Sequence, residues 1–337
     1  MSDNRPPTVL NGRHQRAELD KVSGAGRELR DILDQGAVPA GELRQSSPVT
    51  KSTTHYRQRV SDLLRLSTGP VDLTGIAPQA TPGFTGSRKA DAKAAVRHLK
   101  RPLADLQGQL YAEGHTGGRR RMLIVLQGMD TAGKGGTVKH VLGLTNPMGV
   151  RYHAFTKPTP EEREHHFLWR VRRQLPPPGV IGVFDRSHYE DVLVARVRQL
   201  VPTEIWSRRY GVINRFENKL VAAGTRIVKC FLHISYDEQR KRLLARLDDP
   251  TKHWKYDPGD VDQRAYWDDY QQAYSDALEK CNTEVAPWYV IPADHKWYRN
   301  WAVTSILVEQ LAEMALTWPE PAGWGVDEQR ARLAAKH

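Results

Sequence analysis

Two rhythms of apolar positions run along the chain. After Gly114–Gly118, short apolar runs alternate with longer stretches in which apolar residues recur every three or four positions. The runs predict strands over Arg121–Leu126, Arg151–Phe155, Val180–Phe184, Arg226–Ile234 and Trp288–Ile291. Such alternation marks a parallel sheet wrapped by helices, because parallel neighbours need a long crossover between them. Ahead of the sheet, Ser87–Glu113 reads as a helical arm with Val96, Leu99, Leu103, Leu106 and Leu110 on one face. Pro102 lacks an N–H and is expected to kink or divide it. Thr159, Pro160 and Glu162 spell a capping box, so a helix is expected from there to Pro176-Pro-Pro178. Ser235 with Glu238 opens another that runs to about Asp248, and Val261–Lys280 and Trp297–Leu316 are helical by period. Residues 1–60 are rich in Gly, Ser, Pro and charge and read as a mobile extension, with short helical stretches near Arg13–Asp20 and Arg27–Asp34. Residues 61–320 then form a single domain, and 321–337 a tail.

Composition changes this picture little, and charge changes it more. With 39% hydrophobic and 26% charged residues, the chain is of soluble globular type. No apolar run nears the roughly 20 residues that span a bilayer, so no membrane partner is expected. The start, MSDNRPPTVL, lacks the pattern of a secretory signal. Only Cys230 and Cys281 are present, which favours a reducing cytoplasm over a disulfide framework. His165 and His166 are adjacent on an expected helix, point in different directions and cannot share a metal. The net charge of +11 calls for an anionic partner. Residues 1–60 carry ten Lys/Arg and seven Asp/Glu, which leaves 40 against 32 for the remainder. The globular part is itself basic.

Candidate chemistry begins where the strand MLIVLQ meets GMDTAGKGGTVKHVLG. Glycines at 128, 133, 135 and 136 let the backbone fold tightly, so that successive N–H groups up to Thr137 converge with a helix N-terminus on phosphate oxygens. Lys134 adds a mobile positive charge where two phosphates meet. The hydroxyl that usually follows this lysine and holds Mg²⁺ is replaced by Gly135. Asp130, inside the loop, is the natural substitute. A carboxylate aimed into a phosphate nest needs a cation between them; the alternative is that Asp130 caps the following turn.

A second carboxylate stands at the end of the run VIGVFD. Asp185 suits the second metal-holding position, and Arg186 could neutralise a phosphoryl group in flight. Glu190 and Asp191 divide evenly between site and helix-start roles. Arg242 and Arg246 sit four apart on the helix from Ser235, a like-charge pair that costs a few tenths of a kcal/mol and points to an anionic partner. Lys252-His-Trp-Lys255-Tyr follows in a loop bounded by Asp, Pro and Gly, as a lid over phosphates would; a solvated basic face is the alternative.

These residues carry a resemblance. LQGMDTAGKGGTVKHV, VRYHAFTKPTPEE, FDRSHYEDVLVARV, FLHIS, RLDDPTKHWKY, YWDDYQQAY and APWYVIPADHKWYRN, in that order, resemble the polyphosphate kinase 2 family over about Leu63 to Pro319. The resemblance implies an α/β fold: a P-loop nucleotide-kinase-like three-layer sandwich, with a five-stranded parallel sheet, helices on both faces and a helical lid near 237–270. It implies reversible phosphoryl transfer between inorganic polyphosphate and nucleotides (ADP/ATP, AMP, and also GDP/GTP). Mg²⁺ is the implied cofactor, with Mn²⁺ as a substitute, and a homodimer or homotetramer the implied assembly. Carried over by motif, Asp130, Lys134, Asp185 and Arg186 are the central residues and Arg246 the lid arginine facing the transferred group. Lys139, Lys157, Arg196, Arg242, Lys252 and Lys255 are the implied polyphosphate contacts. HYEDVLVARV is closest to the subgroup that accepts both AMP and ADP. An ATP-dependent nucleoside monophosphate kinase is the rival reading. No nucleic-acid module is recognisable, so nucleic acid is not expected as a partner.

Overall fold

The computed structural model describes residues 58–321 and 323–335. The short helical stretches expected near Arg13–Asp20 and Arg27–Asp34 lie outside the described residues. Five strands form one parallel sheet in the order β2-β3-β1-β4-β5. They are β1 Arg121–Gln127, β2 Val150–Ala154, β3 Ile181–Asp185, β4 Thr225–His233 and β5 Trp288–Pro292, each within one residue of its expected bounds. Every residue of β1 after Arg121 is buried, as is all of β5, while the edge strand β2 is mostly exposed. Central strands covered on both faces must be apolar throughout, which is why their sequences run on without alternation.

The helices in chain order are α1 Val60–Leu64, α2 Lys89–His115, α3 Lys134–Val141, α4 Pro160–Glu164, α5 Trp169–Arg173, α6 Val194–Val197, α7 Thr203–Ala222, α8 Tyr236–Leu247, α9 Pro258–Arg264, α10 Trp267–Lys280, α11 Lys296–Ala312 and α12 Val326–Ala334. One layer is α11 against β4 and β5, with α2 and α3 packed on it. The other is α7 on β4, with α6 and α10 against each other and against α7.

Four local expectations are corrected. The arm α2 is neither ended nor divided at Pro102 but continues for 27 residues. The hydrogen bond that proline removes falls on the carbonyl of exposed His98, where water can replace it, while buried Leu99, Leu103 and Leu110 hold the helix in place. The helix capped by Thr159 and Glu162 forms as expected but stops at Glu164 and resumes at Trp169. In the gap His166 Nδ1 accepts from the Leu168 N–H, an alternative to the helical bond, and His165 stacks on Trp169 at 4.2 Å. The stretch 261–280 is two helices, α9 and α10. Pattern analysis assigns no element to 203–222 or to the tail, yet α7 and α12 form there. In α7 the buried stripe is Tyr210, Ile213, Phe216 and Glu217, in which a charged member hides the period.

Candidate active site

The connections from β1 and β3, which are neighbours, leave in opposite directions across the sheet. Ligands bind at such a reversal, beyond the carboxyl ends of the strands. The glycine loop lies there, between β1 and α3. Gly128 leaves the strand at φ +149, where a Cβ would stand 2.6 Å from the Leu232 carbonyl of β4. Gly133 turns into α3 at φ +108. Lys134 is buried, and its Nζ donates to the carbonyls of Gly128 at 2.8 Å and Met129 at 3.4 Å.

Arg186 ends β3 at φ +63, a backbone conformation that costs a non-glycine residue about 1–3 kcal/mol. Its N–H donates to the Leu126 carbonyl of β1 at 3.0 Å, and its Nη2 donates to Asp130 Oδ1 at 2.7 Å. Burial pushes the Asp130 carboxyl up, but Lys134, Arg186 and Arg246 outweigh it and hold the group below its usual range. Glu190 raises the proton affinity of Arg186, burial opposes this, and Asp130 adds to the rise. Glu190 belongs to the same cluster. Burial raises its carboxyl above the ordinary value while Arg186 and Lys134 pull it back and Asp130 pushes it further up. Tyr270 and Tyr274 of α10 also face this cluster, their hydroxyls raised by burial and then by Glu190 and Asp130. Asp191 faces away: its carboxylate and carbonyl accept from Arg209 Nη1 at 3.0 and 2.9 Å. Asp185, at the tip of β3, accepts from the Tyr152 hydroxyl at 3.4 Å.

The turn's other side feeds a sealed network. Ser187 Oγ accepts from Gln127 and from the Tyr189 N–H. Lys229, fully buried in β4, donates to Glu217 at 2.7 Å, Tyr189 Oη at 3.0 Å and the Cys281 carbonyl at 2.7 Å. Glu217 also accepts from Tyr189 Oη at 2.8 Å and meets His188 Nε2 at 3.1 Å.

The segment expected as a lid, near 237–270, holds α8, the turn Pro250–Lys255 and α9. Arg246 donates to Asp260 at 3.0 Å and to the Lys255 carbonyl at 2.9 Å, near enough to Asp130 to affect its charge. Lys139, Lys157, Lys252 and Lys255 are exposed, Lys252 beside Asp249 at 2.6 Å and Lys255 over Trp254 at 4.7 Å. Three implied contacts are placed otherwise. Arg242 is buried and spends all five N–H donors, one group on Glu238 and the rest on the carbonyls of Thr131, Ala132, Ala293 and Asp294. Arg196 is bound to Asp276 at 2.7 Å with its guanidinium over Trp206. Thr137 is buried, and both its N–H and its hydroxyl donate to the Gly133 carbonyl. A backbone-facing arginine and a back-bonded threonine look, in sequence, the same as phosphate ligands. Of Glu190 and Asp191, divided evenly in the sequence between site and helix start, Glu190 joins the cluster; Tyr270, Tyr274 and Gln239 are left unassigned by the motifs, and the tyrosines of YWDDYQQAY are the only signal for the first two.

Among the described residues no three His, Cys, Asp or Glu side chains gather as a metal cage. Mg²⁺ needs none, since it is commonly held by one or two carboxylates together with substrate phosphates. Asp130, in the loop that follows β1, and Asp185, at the end of the adjacent β3, fit that donor set, with Asp130 held ionised.

A glycine loop after the first strand, a buried lysine within it and a strand-end Asp-Arg pair define a P-loop phosphotransferase. The polyphosphate kinase 2 family profile matches residues 86–318. An AMP/ADP-polyphosphate phosphotransferase of Meiothermus ruber is 49% identical over 253 residues, covering 75% of this chain and 93% of the relative. An ADP-polyphosphate phosphotransferase of Rhodopseudomonas palustris is 44% identical over 230 residues, 65% of this chain and 78% of its own. The crystal structure of polyphosphate kinase 2 from Arthrobacter aurescens superposes with a TM-score of 0.79 at 50% identity, covering 83% of this chain and 98% of that one. This chain belongs to the polyphosphate kinase 2 family.

Proposed function

We propose that this chain transfers the terminal phosphoryl group of inorganic polyphosphate to ADP, and also to AMP, with Mg²⁺, for which Mn²⁺ can substitute. The observation that carries the reading is the Asp130–Arg186–Lys134 cluster over a phosphate loop, in a chain 49% identical to a protein named for AMP/ADP and polyphosphate. An oxygen of the nucleotide's terminal phosphate, ionised at neutral pH, attacks the end phosphorus of the polymer. The bond from that phosphorus to the bridging oxygen breaks, and a polymer one unit shorter leaves with the electron pair. No proton has to move, so no strong base is required. Catalysis rests on alignment and on answering negative charge with fixed positive charge. Lys134 and Arg186 would meet the transferred group, and Arg246 would face it from the lid side. Mg²⁺, when bound at Asp130 and Asp185, would neutralise adjacent phosphate oxygens.

The exposed lysines at 139, 157, 252 and 255 would follow the polymer, giving a salt-dependent affinity of the kind that counterion release produces. GDP is a further acceptor of the same chemistry. The unpaired, buried Cys230 and Cys281 support a cytoplasmic setting, and the family resemblance supports a homodimer or homotetramer. The test is incubation with polyphosphate, ADP and Mg²⁺ and no other donor. ATP should accumulate, and chelation should stop it; turnover of ATP plus AMP with none from polyphosphate would favour the monophosphate-kinase reading instead.

A further inference from the structure

The carbonyl side of the phosphate loop is held by side chains of two helices. Gln239 of α8 donates to the Asp130 carbonyl at 3.1 Å, and Arg242 Nη1 to those of Thr131 and Ala132 at 3.0 and 3.1 Å. Arg299 of α11 donates from Nη1 to the same Ala132 carbonyl at 3.1 Å. Across a trans peptide, a carbonyl and the next N–H point in opposite directions. Each held carbonyl therefore turns the following N–H to the loop's other side. The Ala132 N–H closes a turn onto Met129 at 3.0 Å, which leaves those of Thr131 and Gly133 for phosphate oxygens.

Arg299 differs from Arg242 in what answers its charge. Arg242 has Glu238 at 2.8 Å. Arg299 is 2% exposed, and among the described residues its guanidinium meets, besides the Ala132 carbonyl, only Asn300 Oδ1, at 3.3 Å from Nε and 2.9 Å from Nη2. Burial, and then Arg242, lower its proton affinity to about 9, so it is still charged at neutral pH. Two loop glycines give it room: a Cβ at Gly133 would lie 1.7 Å from its Nη1, and one at Gly136 3.0 Å from its Nη2. A buried charge without a carboxylate partner lowers stability, unless something else on the molecule uses it.

We propose that Arg299 is a positioning residue of the phosphate loop: it clamps the Ala132 carbonyl so that the Gly133 N–H faces the bound phosphate, and it fixes a positive charge beneath that phosphate. The inference rests on the loop being the phosphate site, not on which donor fills it. Arg299→Met and Arg299→Lys in the full chain test it, through tripolyphosphate binding by calorimetry, steady-state kinetics and thermal unfolding. Arg299→Met should weaken tripolyphosphate binding and lower kcat, each by about 10- to 100-fold, the range seen when a supporting residue behind a site is lost. Its Tm should hold or rise, because Ala132 keeps Arg242 and an unanswered charge has gone. Arg299→Lys keeps charge without the planar fork, so it should recover binding more than kcat. Binding and turnover within twofold of the parent would overturn the proposal, as would losses in both variants that follow a fallen Tm. If the parent binds tripolyphosphate but shows no polyphosphate-driven turnover, the donor assignment fails while the binding measurements still decide the role of Arg299.

Discussion

Two charged clusters grow from opposite sides of the turn Asp185–Asp191, and they differ in how their charges are answered. In the sealed one, all three ammonium protons of Lys229 have acceptors, and Glu217 accepts from three groups. Burial opposes the ionisation of Glu217, yet Lys229 and His188 outweigh it and keep the carboxyl below its ordinary range. In the open one, Lys134 leans on two loop carbonyls, Arg186 on Asp130, and Glu190 is raised by burial. Charges answered in full fix a backbone. Charges answered in part are free to exchange those partners for a ligand's.

The largest test of that contrast is Lys134→Ala. Turnover should fall by about 10³-fold or more, roughly 4 kcal/mol of transition-state stabilisation, with Tm within a few degrees of the parent. Steady-state kinetics beside calorimetric unfolding measures both, and near-normal turnover would remove the lysine from the reaction. Lys229→Met should do the reverse. It leaves Glu217 buried without its cation, which costs about 3–5 kcal/mol of stability by denaturant unfolding. Turnover per folded molecule should stay near the parent's; a lost kcat with an intact fold would place the sealed cluster within the active site.

Arg246→Ala is expected to reduce kcat by roughly 100-fold and nucleotide binding much less, because its charge is needed as the group transfers. An effect on polyphosphate KM alone would make it a contact of the polymer groove. The smallest effect belongs to Glu190. Its folded-state value lies above the ordinary 4.5, so its stabilising contribution is present below that value and is lost as pH rises through the raised one. Glu190→Gln should therefore raise Tm at neutral pH by about 2 °C and leave it unchanged near pH 4. A lower Tm at neutral pH would mean that Arg186 and Lys134 stabilise the carboxylate more than burial opposes it.

The inner strands were legible because covered parallel strands are largely apolar, while β2 is mostly exposed; in all five only the boundaries shifted. Helices α7 and α12 were not, since Glu217 sits within one buried stripe and the other helix is exposed along its length. In the candidate site, spacing singles out Asp130, Lys134, Asp185 and Arg186. Spacing carries no information on whether a basic side chain turns outward to a ligand or inward to the main chain. Arg242 turns inward to the main chain, Arg196 pairs with Asp276, and Thr137 bonds back on its own helix. Glu190, Tyr270 and Tyr274 are set by packing between segments far apart in sequence.

Gly135, which stands where a magnesium-holding hydroxyl is usual, has nothing among the described residues within 4 Å of the position a Cβ would take and no left-handed backbone. Gly136, one step on, is hemmed in by Arg299. Of these two adjacent glycines, then, only the second is imposed by shape. The first is not imposed by its described surroundings, and for some glycine codons serine is a single base change away. A serine at 135 would add a hydroxyl to the loop without rebuilding the described residues around it, so the loop could take up a further oxygen donor at little structural cost.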